Sequence, residues 1–587
     1  MPPGHKGGIV CCTLGVWRKW ASCIAVETAF SNQAGASSSP AINALALVLT
    51  ITLATTGCTT GPGEWIRNGF KVGPNYARPP APVADDWIDS DSPELNQEEA
   101  DYSNWWAVFH DPVLNDLVNT AHEQNLPLKI AGMRVLEARA QLDVAKGTLF
   151  PQQQQMAGDY VRTEFSNNSF PFGSFPLPKM IFDTWSLGFD AAWELDFWGK
   201  FRRMIESADA NLNAKVENYD DALVILQAEV AAMYTETRTL EERLRLAHKN
   251  VTLQKNTVRI TQDRFENGMV SNLDVQQARS NLAATESMIP VLETMHRRTQ
   301  NRLCTLLGMP PRDLASRLGR GEIPGAPPEV AVGIPAELLR RRPDVRRAER
   351  EAAAQCARIG IAESELYPQI AITGTIAVEA EYFSNLFDWD SITGAVGPGF
   401  RWNILNYGRL RSNIRVQDAR FGQLVLKYQE TVLRANEEAE NAITAYLREQ
   451  ARVEFLQEST EATAQAVELA DAQYDQGLID FQRVLDSQRV LVQQQDMLAQ
   501  SRGNVALNLI ALYKALGGGW QVRFGQIRTP EATLAESPPE EELTPEDKAP
   551  LPPEPLPVPE APESLEAPKV PEAPEVPASN KGPAETP

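Results

Sequence analysis

The chain has 587 residues and a formal net charge of −22, but residues Thr529 to Pro587 alone hold fourteen acids against three lysines, and 17 of the 42 prolines. That PEAPEVP-type tail buries too little apolar surface to offset the entropy of ordering, so it is expected to be extended and solvated. The five histidines (His5, His110, His122, His248, His296) lack metal-binding spacing, and no phosphate-binding Gly-rich loop, zincin motif or nucleophile elbow occurs. No catalytic residue, cofactor or metal is therefore expected, and no nucleic-acid partner.

The first 57 residues read as a signal peptide with an N-terminal extension. Ala41 to Gly57 is an uncharged, largely apolar run of 17 residues behind Lys6, Arg18 and Lys19. A spanning helix needs about 20 residues, so the run suits a signal core better. Small residues then lead into Cys58. TTGC resembles the lipobox of bacterial lipoproteins, with Thr55 where leucine is usual, which implies acylation of Cys58. Thr59 in place of aspartate then implies sorting to the outer membrane. Residues 58–112 form the lipid-anchored segment. Cys11, Cys12 and Cys23 belong to the leader region, and Cys304 and Cys356 read as small buried residues rather than a disulfide or metal pair.

The rest is duplicated, with one unit over 113–318, a Pro/Gly-rich linker over 319–335, a second unit over 336–519 and a C-terminal segment over 520–587. WELDFWGKFR from Trp193 returns as WNILNYGRLR from Trp402, and FENGMVSNLDV from Phe265 returns as YDQGLIDFQRV from Tyr474. Phe150-Pro151 matches Tyr367-Pro368. Such a repeat argues for one large body rather than several domains.

In chain order, the first unit predicts a helix over Val113 to Phe150 and a weak strand over Gln152 to Phe165, where QQQQ offers no apolar face. A loop follows over Asn167 to Met180. Next comes a clear strand in which Trp185, Leu187, Phe189, Ala191, Trp193, Leu195 and Phe197 alternate with polar or small residues. A 68-residue helix from Lys200 to Asn267 ends at Gly268, and a return helix covers Asn272 to Leu307. The second unit predicts a helix over Ala336 to Tyr367 and strands over Ile370 to Tyr382 and Ile392 to Ile404. Its long helix runs from Arg409 to Gln476 and ends at Gly477, and its return helix covers Phe481 to Leu516.

Period-two alternation with aromatics at both ends suits a tilted membrane strand with one lipid face and one polar face. Four strands cannot close, and open edges in hydrocarbon leave backbone groups unpaired. Either the strands form a soluble sheet or several chains share one barrel. Each long helix would reach about 100 Å. Residues such as Leu223, Leu226, Val230, Leu240 and Val251, and Val467, Ala470 and Tyr474 in the second copy, keep the 3,4 spacing of coiled-coil staves. The paired shorter helices match one long helix in length, giving four staves per chain.

VGPNYARPP (Val72–Pro80), WW-x-x-F-x-DP-x-L (Trp105–Leu114), WELDFWGK (Trp193–Lys200), RFENGMVSNLDV (Arg264–Val275), IPAELLRRRPDVRRAE (Ile334–Glu349), LYPQI (Leu366–Ile370) and GPGFRWNILNYGR (Gly397–Arg409) resemble the outer-membrane factor family of TolC-like efflux channels, in its OprM-like lipoprotein branch. The resemblance implies an α+β membrane protein: a homotrimer with a 12-stranded outer-membrane β-barrel continuing into a 12-helix periplasmic coiled-coil α-barrel. It further implies docking of a periplasmic adaptor at tips formed by Phe265, Gly268, Ser271, Gly477 and Asp480, and an inner-membrane pump of RND type. Tyr474, Gln482 and Asp486, with Arg489 one turn on, align with a periplasmic gate, where an Asp/Arg ring would latch the closed mouth. The expected function is a passive exit duct for a tripartite efflux system. A duct for peptide or protein secretion, or a lipid-anchored coiled-coil scaffold without a pore, stays open as an alternative.

Overall fold

A computed structural model describes residues 60–96, 101–164, 181–327 and 329–524. Cys58, the leader, the 167–180 loop and the acidic tail lie outside the described residues.

The chain enters through a one-turn helix α1 (Pro62–Arg67) and an extended strap, and strand β1 (Leu95–Asn96) pairs in parallel with β4 (Val330–Ala331) of the linker. A 3-10 turn over Trp105–Phe109 buries Trp105, Trp106 and Phe109. The predicted 38-residue helix is in fact two, α2 (Pro112–Gln124) and α3 (Leu126–Gly147). Asn125 between them is extended (ψ 122°) and buried. Its side chain accepts from Leu128 N at 2.9 Å and donates to Leu306 O at 2.9 Å. Pro127 fits the first turn of the new helix, where no N–H donor is required.

Next come β2 (Gln153–Glu164), β3 (Ile181–Glu194), α4 (Lys200–Glu266) and α5 (Asn272–Leu306). The second unit gives α6 (Pro343–Ser364), β5 (Gln369–Ala380), β6 (Ile392–Arg401), α7 (Arg409–Asp475) and α8 (Phe481–Ala515). Its first helix therefore begins at Pro343, not Ala336, because the short helical turns that open at Pro335 end at Arg341, and Arg342 is extended ahead of Pro343. Each long helix has 67 residues. Each starts behind a glycine in the left-handed region, Gly199 (φ 80°) and Gly408 (φ 82°).

α3 and α5 both pack along α4, and α6 and α8 both pack along α7, with α6 and α8 also against α4. The short helices meet end to end at two joints. In the first unit the α5 terminus reaches Asn125. In the second, Arg342 Nη1 donates to Ala515 O at 3.0 Å. Around the joints lies the main core, in which Trp105 stacks on Tyr513 at 5.5 Å beside Trp106, Leu114, Leu303 and Leu509.

The four longer strands form one antiparallel sheet in the order β2-β3-β5-β6. The strand judged weak, β2, pairs along its full twelve residues with β3. One row across the sheet is Met156, Phe189, Ile376 and Gly394, and the next is Gln155, Asp190, Thr375 and Ala395. The two faces are thus apolar and polar. Among the described residues no α-helix packs along the sheet, so Met156, Phe189, Ile376, Val396 and Phe400 are 58–81% exposed.

Candidate gate at the helix-hairpin tips

The two helix hairpins, α4–α5 and α7–α8, end in turns of the same construction. At the first, Gly268 (φ 70°) donates to Phe265 O and Met269 N to Arg264 O, both at 2.9 Å. At the second, Gly477 (φ 74°) donates to Tyr474 O and Leu478 N to Gln473 O, again at 2.9 Å. This double bond satisfies helix-end carbonyls and requires a left-handed residue, which glycine supplies without strain. The turns differ at the next helix start. Ser271 forms a capping box with Asp274, whereas the Asp480 side chain caps nothing at α8. Phe265 is 39% exposed, and Met269 and Leu478 are more so.

The four gate residues expected from sequence fall into two groups. Gln482, Asp486 and Arg489 form an exposed row along α8. Gln482 Nε2 donates to Asp486 Oδ1 at 3.0 Å, and Arg489 Nη1 stands 4.0 Å from the same oxygen. Arg489 Nε also donates to Asn281 Oδ1 of α5 at 3.3 Å. Tyr474 is separate from this row. It is buried in an apolar cluster with Ala278, Phe481, Val484 and Leu485, its ring 5.4 Å from Phe481, and among the described residues its hydroxyl has no hydrogen-bond partner.

Sequence reading missed the residue that joins the two turns. The Arg264 guanidinium of α4 lies 4.2 Å from the Tyr474 ring centroid. Its Nη1 donates to Tyr474 O at 2.9 Å, and its Nη2 to Asp475 O at 3.0 Å and Asp475 Oδ1 at 3.3 Å. Above the tips, α4 and α8 are joined by polar groups. Gln488 Nε2 donates to Thr257 Oγ1 at 3.0 Å, Asn250 Nδ2 to Gln495 Oε1 at 2.9 Å, and Arg243 Nε to Asp496 Oδ1 at 2.7 Å. Burial pushes the Asp471 carboxyl up, Asp475 adds to this, and the Gln488 amide opposes it. Among the described residues no group of His, Cys, Asp or Glu is placed to hold a metal ion.

Residues 117–309 and 334–518 match the family model described as "Outer membrane efflux protein". The chain belongs to that family. This outer membrane efflux protein is 30% identical over 459 residues to nodulation protein T of Rhizobium leguminosarum bv. trifolii, a match covering 77% of the chain and 95% of the relative. It is 31% identical over 425 residues to the pyoverdine export outer membrane protein OpmQ of Pseudomonas putida, covering 71% and 88%. Among solved structures it resembles the outer-membrane channel OprN with a TM-score of 0.72 and 32% identity, covering 76% of this chain and 99% of that one. The CmeC outer membrane channel of Campylobacter jejuni has the same fold, at a TM-score of 0.69 and 22% identity over 76% and 94% of the two chains. The efflux protein thus has the outer-membrane channel fold, strands at one end and long coiled helices below, in a family of channels rather than enzymes.

Proposed function

We propose that this efflux protein is the exit duct of a tripartite pump, conducting substrates passively from an inner-membrane pump of RND type and a periplasmic adaptor to the exterior. The observation that carries the reading is the uncovered sheet. A soluble sheet would bury its apolar row, yet Met156, Phe189, Ile376 and Phe400 are exposed, with no α-helix of the described residues over them. The opposite face carries Asp159, Asp190, Glu194, Thr373 and Glu379, as a water-filled lumen requires. Among the described residues β2 and β6 leave two unpaired edges, which hydrocarbon does not tolerate.

Three copies close those edges into twelve strands, and three sets of four staves close a twelve-helix tunnel in the periplasm. Each unit, 113–318 and 336–519, supplies half of the strands and staves. Acylated Cys58 holds the trimer in the outer membrane by its lipid. The turns at Phe265, Gly268, Ser271, Gly477 and Asp480 receive the adaptor. Tyr474 packs the mouth from within, while Gln482, Asp486 and Arg489 line it. Pyoverdine export and toluene efflux name the work of OpmQ and of TtgF from P. putida. In this reading, the choice of cargo belongs to the pump.

Reconstitution into planar bilayers tests the proposal. Discrete single-channel steps from the purified protein are expected. A protein that binds vesicles through its anchor but passes no current would be a coiled-coil scaffold.

A further inference from the structure

The two hairpin tips are copies of one sequence, but their contacts are unequal. Arg264 precedes Phe265 in the first copy, and the matching residue before Tyr474 is Gln473. Gln473 is exposed, whereas Arg264 is largely buried across the other turn. The guanidinium faces the end of α7, where a helix dipole favours a cation. Its fork fits two successive carbonyls and the Asp475 carboxylate, with charge-assisted bonds, while its plane covers the Tyr474 ring. The same Tyr474 ring packs on Phe481, the first residue of α8. One side chain of α4 therefore holds the α7 terminus, the turn and the start of α8. Other polar bonds from α4 and α5 to α8 among the described residues, at Arg243, Asn250, Thr257 and Asn281, lie along the helices rather than at the turn.

We propose that Arg264 is a positioning residue, a clasp that keeps the two hairpin tips of one chain in register. Its release frees the α7–α8 tip to move away from α4–α5. The link to opening rests on the gate reading, but the clasp itself does not.

The test uses the full-length protein in detergent with spin labels at Met269→Cys and Leu478→Cys. Both positions are exposed, while Cys304 and Cys356 are buried. Pulsed dipolar spectroscopy then reads the distance between the tips. With labelled chains diluted in unlabelled ones, so that distances between chains fall away, the parent should give one narrow distance. Arg264→Ala and Arg264→Gln should lose that narrow peak, Arg264→Lys should keep part of it, and Gln473→Ala should leave it unchanged. Arg264→Gln installs the residue that the other tip already carries, so loss of fold is not expected. An unchanged narrow distance in Arg264→Gln and Arg264→Ala would overturn the clasp. Bilayer conductance of the same variants separates the two ideas: a lost peak with parental conductance would leave the clasp standing and remove it from the gate.

Discussion

Gly73 and Gly360 meet backbone to backbone, so closely that a Cβ on Gly73 would stand 2.3 Å from the Gly360 Cα. This contact seats the strap that follows Cys58 onto α6. Around it, Arg203 donates to Val72 O at 3.0 Å and Gly73 O at 2.8 Å, and Gly73 N donates to Thr60 Oγ1 at 2.8 Å. The buried Glu363 carboxylate, pushed up by burial, accepts from Thr60 N.

Gly73 has φ 82°, so alanine there combines left-handed strain with a clash. Gly73→Ala should cost about 2–4 kcal/mol. It should also speed protease cleavage of the strap, read by limited digestion and thermal unfolding. Gly63→Ala, where nothing lies within 4 Å, should behave as the parent.

Arg342 ties the second joint together. It is 8% exposed and donates to Ala515 O at 3.0 Å, to Asp344 at 2.7 Å and to Glu438 at 2.7 Å. Arg342→Ala strands buried partners and should cost about 3–5 kcal/mol. Lysine cannot reproduce the forked geometry, so Arg342→Lys should restore little of the melting temperature.

Asp220 is fully buried in α4 between Arg523, 2.9 Å away, and Arg346 at 3.4 Å, with Glu217 on its own helix. Burial outweighs the two arginines, and Glu217 adds to it, so the carboxyl is pushed up to about 7. The folded chain therefore holds a proton there that the unfolded chain releases near pH 4. This contribution to stability is complete below that point and is lost as pH rises through about 7. The melting temperature should fall between about pH 4 and about pH 7, the span of this shift, and Asp220→Asn should flatten the decline.

Asp486 and Arg489 are more than half exposed, so their pair within one chain contributes under about 1 kcal/mol. Asp486→Ala should leave the melting temperature nearly unchanged and raise single-channel conductance. Unchanged conductance would remove Asp486 from the gate.

Much of this architecture is legible in the sequence because periodicity records which faces are buried. The two repeat signatures meet within each copy: Trp193 bonds the residue before Phe150-Pro151, and Trp402 the residue before Tyr367-Pro368. Trp193 Nε1 donates to Leu149 O at 3.1 Å, and Trp402 Nε1 to Leu366 O at 2.9 Å. Strand β2 was hard to read because its apolar row is only Met156, Gly158 and Tyr160, and most of that face comes from β3. The break at Asn125 depends on a bond to Leu306, 181 residues away. Arg264 was overlooked because two of its partners are carbonyls, which leave no trace in residue type, and its side-chain partners Tyr474 and Asp475 belong to another hairpin, 210 and 211 residues on. Only its mismatch with Gln473 across the repeat could have pointed to it.

In the proposed barrel, a four-stranded sheet with two open edges works only when several chains close it. The detergent-subtracted mass of the extracted protein, by light scattering, tests it most directly. The mass of three chains is expected. A monomer that stays soluble without detergent would contradict it, because its four strands could then form no barrel.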